Sequence, residues 1–191
     1  MTRLRLRQAH SEPALERIYA KPHDHTRFPD HVLRVNATIQ VGRWLVDRYG
    51  AANAYDFSCG DGAIVKGLGV GAEYLGDMAP GHPTTGPLEK TLDEIGNDAY
   101  EKADLYVCCE TLEHLDDPDA ILWKIRSKTS LLLLSTPVDA WSDDNPEHYW
   151  AWSRGDVEAM LAEAGFRVAV YSEVDFRPLR MPYSFGIWGC Q

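Results

Sequence analysis

Apolar positions along the chain alternate between two spacings. Val32, Val35, Ile39, Leu45 and Val46 recur at helical spacing, with Asp30 placed to cap the first turn and Gly50 placed to stop the last. Residues 52–57 then read as a strand, 61–68 as a helix and 72–76 as a second strand. Residues 79–87, rich in Pro, Gly and Thr, read as a loop, and Leu88, Leu92 and Ile95 mark a short helix. Residues 105–109 form an apolar run of buried-strand type. Asp117-Pro118 is a helix start, the Asp as cap and the Pro at the first helical position, and Ile121, Leu122 and Ile125 follow at helical spacing. Four leucines, 131–134, predict another buried strand, closed by Ser135-Thr136-Pro137. Ser153 and Asp156 have the spacing of a capping box, opening a helix that carries Val157, Met160, Leu161 and Ala164 and stops at Gly165. Residues 167–171 and 183–189 are two final strands joined by a Pro-rich connection. Strands alternating with helices predict a parallel sheet, and a last strand pair without an intervening helix predicts an antiparallel edge.

Composition narrows the class. At 191 residues, 45% hydrophobic and 25% charged, the chain fits one globular domain with a substantial core, and no internal repeat or linker divides it. No apolar run is long enough to span a bilayer. The basic N-terminus, Arg3, Arg5 and Arg7 among its first residues, lacks the apolar stretch of a secretory signal. Cys59, Cys108, Cys109 and Cys190 form no C-x-x-C, and the adjacent pair would point to opposite faces of a strand, so a reduced, cytoplasmic location is expected. The net charge of −10 is uneven: residues 1–48 carry +4 and the remainder −14. An acidic body disfavours a long nucleic acid as partner. Its carboxylates suit a cation.

Two groups of residues carry candidate chemistry. In residues 55–62, an apolar run ends in Asp56, a small turn through Ser58, Cys59, Gly60 and Gly62 follows, and Ala63-Ile64-Val65 can start a helix. That is the strand, tight loop and helix N-terminus on which nucleotide-like cofactors are held. The three glycine slots of a dinucleotide fingerprint read Ser58, Gly60 and Ala63, a poor match. Asp77, at the end of the second strand, can accept both hydroxyls of a ribose. Farther on, Glu110, Glu113 and His114 stand at i, i+3 and i+4, positions that share a face on one helical turn. His148 follows the next strand, whose C-terminal end opens on the same edge of a parallel sheet. Two carboxylates and two imidazoles can bind one divalent ion.

The loop resembles the D-x-G-C-G-x-G signature of class I S-adenosylmethionine (SAM)-dependent methyltransferases, with Ser58 in place of the first glycine. Residues 103–118 resemble that family's fourth strand, its E-x-L-E-H exit and the next helix; residues 133–137 resemble its fifth strand, and 147–153 and 164–166 the segments beyond. The family's acid near the adenine would fall at Pro87, next to Leu88 and Glu89, so backbone groups and apolar walls are expected to hold the base. The resemblance, over roughly residues 36–175, implies a Rossmann-like α/β fold: a mostly parallel seven-stranded sheet with an antiparallel edge strand and helices on both faces. It implies SAM as cofactor, bound by Asp56, Ser58, Cys59, Gly60, Gly62, Asp77, Met78, Leu88 and Glu110. The E-x-x-E-H plus distant His arrangement is similar to two methyltransferase groups, those acting on the terminal ribose 2′-hydroxyl of small RNAs and those of ubiquinone biosynthesis. It implies Glu110, Glu113, His114 and His148 as catalytic residues and as ligands of Mg²⁺ or Mn²⁺, with Fe²⁺ an alternative.

The expected protein is one methyltransferase domain over residues 1–191, with 1–35 as an N-terminal arm or lid and 36–191 as the SAM-binding core. The expected acceptor is a hydroxyl on a small molecule or sugar; a terminal RNA ribose is the alternative. A SAM-binding interaction module without catalysis and an NAD or nucleotide-sugar enzyme are the rival classes. His23, His25 and His31, with Asp24 and Asp30, read as a polar, helix-capping segment, with a lid or second metal site as the sharper alternative. Trp141, Tyr149, Trp150 and Trp152 around His148 suit either core packing or stacking on the acceptor.

Overall fold

The structure, a computed structural model, describes residues 3–21, 24, 27–96, 102–181 and 183–191, with the side chain of residue 73 outside the description. His23 and His25 lie outside the described residues, so the expectation placed on them stays with the sequence. In chain order the elements are β1 (Leu4–Arg5), α1 (Glu12–Ile18), α2 (Pro29–Tyr49), β2 (Asn53–Asp56), α3 (Ala63–Leu68), β3 (Gly71–Asp77), β4 (Thr84–Thr85), α4 (Leu88–Thr91), β5 (Ala103–Cys109), α5 (Pro118–Lys128), β6 (Thr129–Val138), β7 (Trp150–Ala151), α6 (Arg154–Glu163), β8 (Val168–Asp175) and β9 (Ser184–Cys190).

Seven strands form one sheet in the order β4-β3-β2-β5-β6-β9-β8. The first five are mutually parallel, and β9 runs antiparallel to both β6 and β8 at the far edge. The chain leaves β2 toward one edge and returns through β5 toward the other. The crevice between β2 and β5 is therefore the point at which ligands bind open α/β sheets.

The leucine run is apolar throughout because β6 is covered on both faces. Leu132 and Leu134 join one core with Tyr55, Leu122 and Trp152; Leu131 and Leu133 join the other with Leu45, Val65 and Ile187. Cys108 and Cys109 fall on opposite faces in the same way, and all four cysteines are free and buried. The strand does not close at Ser135: it continues through Pro137 to Val138 because β9 pairs with it along that length.

The predicted caps at Asp117 and Ser153 form. Asp117 accepts from the N–H of Ala120, and Ser153 and Asp156 complete a reciprocal capping box. Asp30 does not cap α2. Phe28 occupies that position without a side-chain bond, Pro29 starts the helix, and Asp30 lies inside the first turn. Gly50, at φ +71°, ends it as expected. The boundary expected between residues 35 and 36 falls inside α2, so the arm runs without a break into the core. A two-stranded antiparallel pair, β1 with β7, lays the N-terminus beside the segment that carries His148. No helix among the described residues is long and apolar enough to cross a membrane.

Candidate active site

The loop between β2 and α3 is held by acids beneath it. Ser58 donates to Asp56 Oδ1 through its backbone N–H (2.9 Å) and its hydroxyl (3.2 Å), and the Gly60 N–H donates to Asp77 Oδ2 (2.8 Å). Thr111 Oγ1 lies 2.9 Å from both Ser58 Oγ and the Cys109 carbonyl, tying this loop to the end of β5. Gly62 sits at φ +74°, a left-handed backbone that favours glycine. Burial pushes the Asp56 carboxyl up to about 8, with Asp77 adding to the shift and the Ser58 bonds opposing it. Asp56 is thus a buried peg under the loop.

A cavity of about 870 Å³ opens at this crevice. Ser58, Gly60, Asp77, Met78, Leu88 and Glu110 line it; Asp56, Cys59 and Gly62, also expected at the cofactor, lie outside its lining. It is lined as well by His114, His148, Tyr19, Asp143 and Arg34. The volume lies in the range of small-molecule and cofactor sites.

Glu113, His114 and His148 converge: a ligand atom from each lies within 4.8 Å of the others. The His114 and His148 rings meet edge to face with centroids 4.7 Å apart. Glu113 is buried and accepts a hydrogen bond from Thr136 Oγ1 at 3.0 Å. Burial pushes its carboxyl up to about 7, against the pull of nearby His148. His148 Nδ1 lies 2.6 Å from Asp143 Oδ2, and His114 Nδ1 lies 3.2 Å from the Tyr19 hydroxyl. Burial opposes the charged form of His148, but the bond to Asp143 and the Glu113 charge outweigh it and raise its pKa.

Glu110 does not join this cluster. The expected i, i+3, i+4 face requires a continuous helical turn, but Glu110 takes φ +53° and Thr111 φ −132°, and only Leu112–His114 forms a 3-10 turn. The Glu110 carboxylate instead pairs with Arg34, Nη1 to Oε2 at 2.6 Å. Arg34 is 6% exposed, stacks over Phe185, and has Asp30 Oδ2 3.9 Å away. Asp30 and His31 do border the cavity. Of the aromatics around His148, Tyr149 and Trp152 are buried, whereas Trp141 is exposed. Sequence reasoning missed Arg34, Asp143, Tyr19 and Thr111. Asp143, five residues before His148, was the one with a local signal.

No family model matches the chain, and no curated protein matches it. Solved structures do. A 1,6-didemethyltoxoflavin N1-methyltransferase from Burkholderia thailandensis superposes with a TM-score of 0.64 at 15% identity, covering 98% of this chain and 93% of its own. A magnesium protoporphyrin IX methyltransferase from Synechocystis, with bound SAM, gives 0.61 at 19% identity over 94% and 91%. The fold is that of class I methyltransferases. The cyclase SpnF shares this methyltransferase fold too, with a TM-score of 0.52 at 11% identity over 80% and 79%. The methyltransferase fold therefore leaves the reaction to be argued from the site.

Proposed function

We propose that the protein is a SAM-dependent methyltransferase acting on a hydroxyl oxygen of a small molecule or sugar, assisted by a divalent ion at Glu113, His114 and His148. One observation carries the reading: the cofactor-type loop with Asp77 and the cluster with its two imidazoles border the same crevice. The donor set fits such an ion. It offers one carboxylate and two imidazoles, and Asp143 at His148 Nδ1 and the Tyr19 hydroxyl at His114 Nδ1 orient the two rings. The raised Glu113 pKa marks a buried carboxylate short of positive charge. Nitrogen and oxygen donors together suit Mn²⁺ or Fe²⁺ at least as well as Mg²⁺. Glu110 would join the set only on leaving Arg34.

SAM, when bound, supplies a methyl group on a sulfonium, open to in-line attack. The ion, when bound, lowers the pKa of the acceptor hydroxyl. The chain's own part is placement. The Ser58 to Gly60 turn and Asp77 would hold the cofactor's ribose and methionine, and Leu88 and Met78 would wall the base. Asp143 fixes the His148 ring, and the proton of the acceptor hydroxyl would pass to solvent water. His10, Tyr19 and Arg34 bring the N-terminal arm to the cavity, in keeping with one domain in which the arm borders the site. The acidic body favours a small acceptor over RNA.

Incubation with SAM, Mn²⁺ and a panel of catechol, sugar and nucleoside acceptors should yield S-adenosylhomocysteine and a methylated product. Chelation should abolish turnover, and Glu113→Ala or His148→Ala should lower it by roughly a hundredfold or more. Stabilisation by NAD and not by SAM would refute the cofactor assignment. Turnover indifferent to chelator and to both variants would refute the metal.

A further inference from the structure

His148 sits on an irregular segment, residues 139–149, whose backbone is ordered by side chains. Asn145 N–H donates to Asp143 Oδ1 (2.8 Å) and Glu147 N–H to Asn145 Oδ1 (3.0 Å). Three carbonyls of this segment face one guanidinium, that of Arg7, more than 130 residues away in sequence. Arg7 Nη1 donates to the Asn145 and His148 carbonyls, and Nη2 donates to the Asp143 carbonyl at 2.7 Å. Its neighbours join the same segment. The Leu6 N–H donates to the Tyr149 carbonyl (2.8 Å), the His10 N–H lies 3.0 Å from Tyr149 Oη, and β1 pairs with β7. Tyr149 in turn donates its N–H to the Glu113 carbonyl at 2.6 Å.

We infer that residues 3–10 are a strap that sets the position of His148, with Arg7 as its positioning residue. The physical case rests on what the carbonyls need. Three convergent carbonyl oxygens repel one another and need donors. A planar guanidinium offers five N–H groups in a rigid fork, so it can gather all three at once and hold the peptide planes on either side of the His148 ring. Both residues of the Asp143–His148 pair have their carbonyls on this one cation, so the pair's separation is fixed by it. Lysine carries the same charge without the fork. Arg3 and Arg5 fasten the strap elsewhere: Arg3 pairs with Asp119 on α5 at 2.6 Å, Arg5 pairs with Asp116, and both lie over the Trp150 ring. They touch none of the three carbonyls that hold His148.

The test compares Arg7→Ala, Arg7→Lys and Arg3→Ala in the full-length protein. At a fixed pH, ¹⁵N-histidine spectra should show the His148 ring signals shifted or broadened in Arg7→Ala, with those of His82, whose Nε2 lies 2.7 Å from the Gly60 carbonyl, unchanged. Mn²⁺ affinity, by calorimetry, should fall about tenfold or more, the size usual for groups that orient a metal ligand, while SAM affinity stays within about twofold. Arg7→Lys should lie between, and Arg3→Ala should behave as wild type in both readouts. Unchanged His148 signals in Arg7→Ala would overturn the inference, and so would equal losses of SAM and Mn²⁺ affinity, which would mark a general loss of structure. If Arg7→Ala does not fold, Arg7→Lys decides by the same two readouts. The Mn²⁺ arm rests on the metal reading proposed above, and the ring signals do not. A wild type that ignores Mn²⁺ would sink the metal reading and leave the ring signals to decide on the strap.

Discussion

Glu113 is 2% exposed between Thr136 and two imidazoles, and its carboxyl is raised from the usual 4.5 to about 7, chiefly by burial. The unfolded chain releases this proton at lower pH than the folded one. Between those two values the metal-free protein therefore loses stability as pH rises, by about 3 kcal/mol from this residue. Asp56, raised by burial to about 8, acts in the same direction over an overlapping window. Glu113→Gln keeps an acceptor for Thr136 and removes the charge. In urea titrations with chelator present it should remove the part of the fall that lies between about pH 4.5 and 7 and leave the part due to Asp56. An unaltered slope would mean that Glu113 is not buried as described. Ser58 makes the second residue-scale prediction. It reads as a departure from a glycine signature, yet its hydroxyl links Asp56 to Thr111. Ser58→Gly should cost about 1–2 kcal/mol in urea unfolding rather than improve the loop. The acids and histidines of this site were legible as residues because their types are chemically unusual together. Glu110 was misplaced because spacing predicts a shared face only where the backbone stays helical, and φ at Glu110 is left-handed.

At the scale of elements, α2 shows how pattern becomes packing. Its buried positions, Arg34, Val35, Thr38, Val41, Gly42 and Leu45, recur at helical spacing and face α3, β6, β8 and β9. At Gly42 the helix packs tightly: a Cβ there would stand 2.4 Å from Leu68 Cδ2 and 2.8 Å from Leu133 Cδ2, both on buried leucines. Gly42→Val should therefore destabilise the fold by about 2–3 kcal/mol, since overpacking outweighs the gain in helix propensity. A thermal midpoint equal to wild type would refute that close approach. Element type and order were legible almost throughout, because both faces of the sheet are covered and each strand and helix carries its own period. Asp30 was the exception. An acid near a helix start has the right chemistry for a cap, but the chain turns at Phe28 and Pro29, and Asp30 faces Arg34 instead.

Across the whole molecule, the uneven charge has a structural use. The basic first residues close onto the acidic body through Arg3 to Asp119, Arg5 to Asp116 and Arg7 to the His148 segment. Much of the positive arm is thereby spent within the molecule and not offered to a phosphate backbone. Fluorescence anisotropy at near-physiological salt should detect no binding of double-stranded RNA at micromolar protein. SAM at about a hundred times its Kd should stabilise the fold by about 2.7 kcal/mol, with NAD giving nothing. By itself the sequence determined the order of the longer strands and helices from α2 to β9, though not the two-residue strands β1, β4 and β7, together with the cofactor-type loop at residues 55–62 and the presence of Glu113, His114 and His148 as a chemically matched set, because periods, caps and short motifs are local properties. Only the tertiary structure decided which of those residues meet. It gave Glu110 to Arg34, Asp143 to His148, Tyr19 to His114 and the His148 segment to Arg7. Each of those partnerships except Asp143 with His148 spans a long stretch of chain, and it forms because the sheet edge and the N-terminal strap bring distant backbone to one crevice.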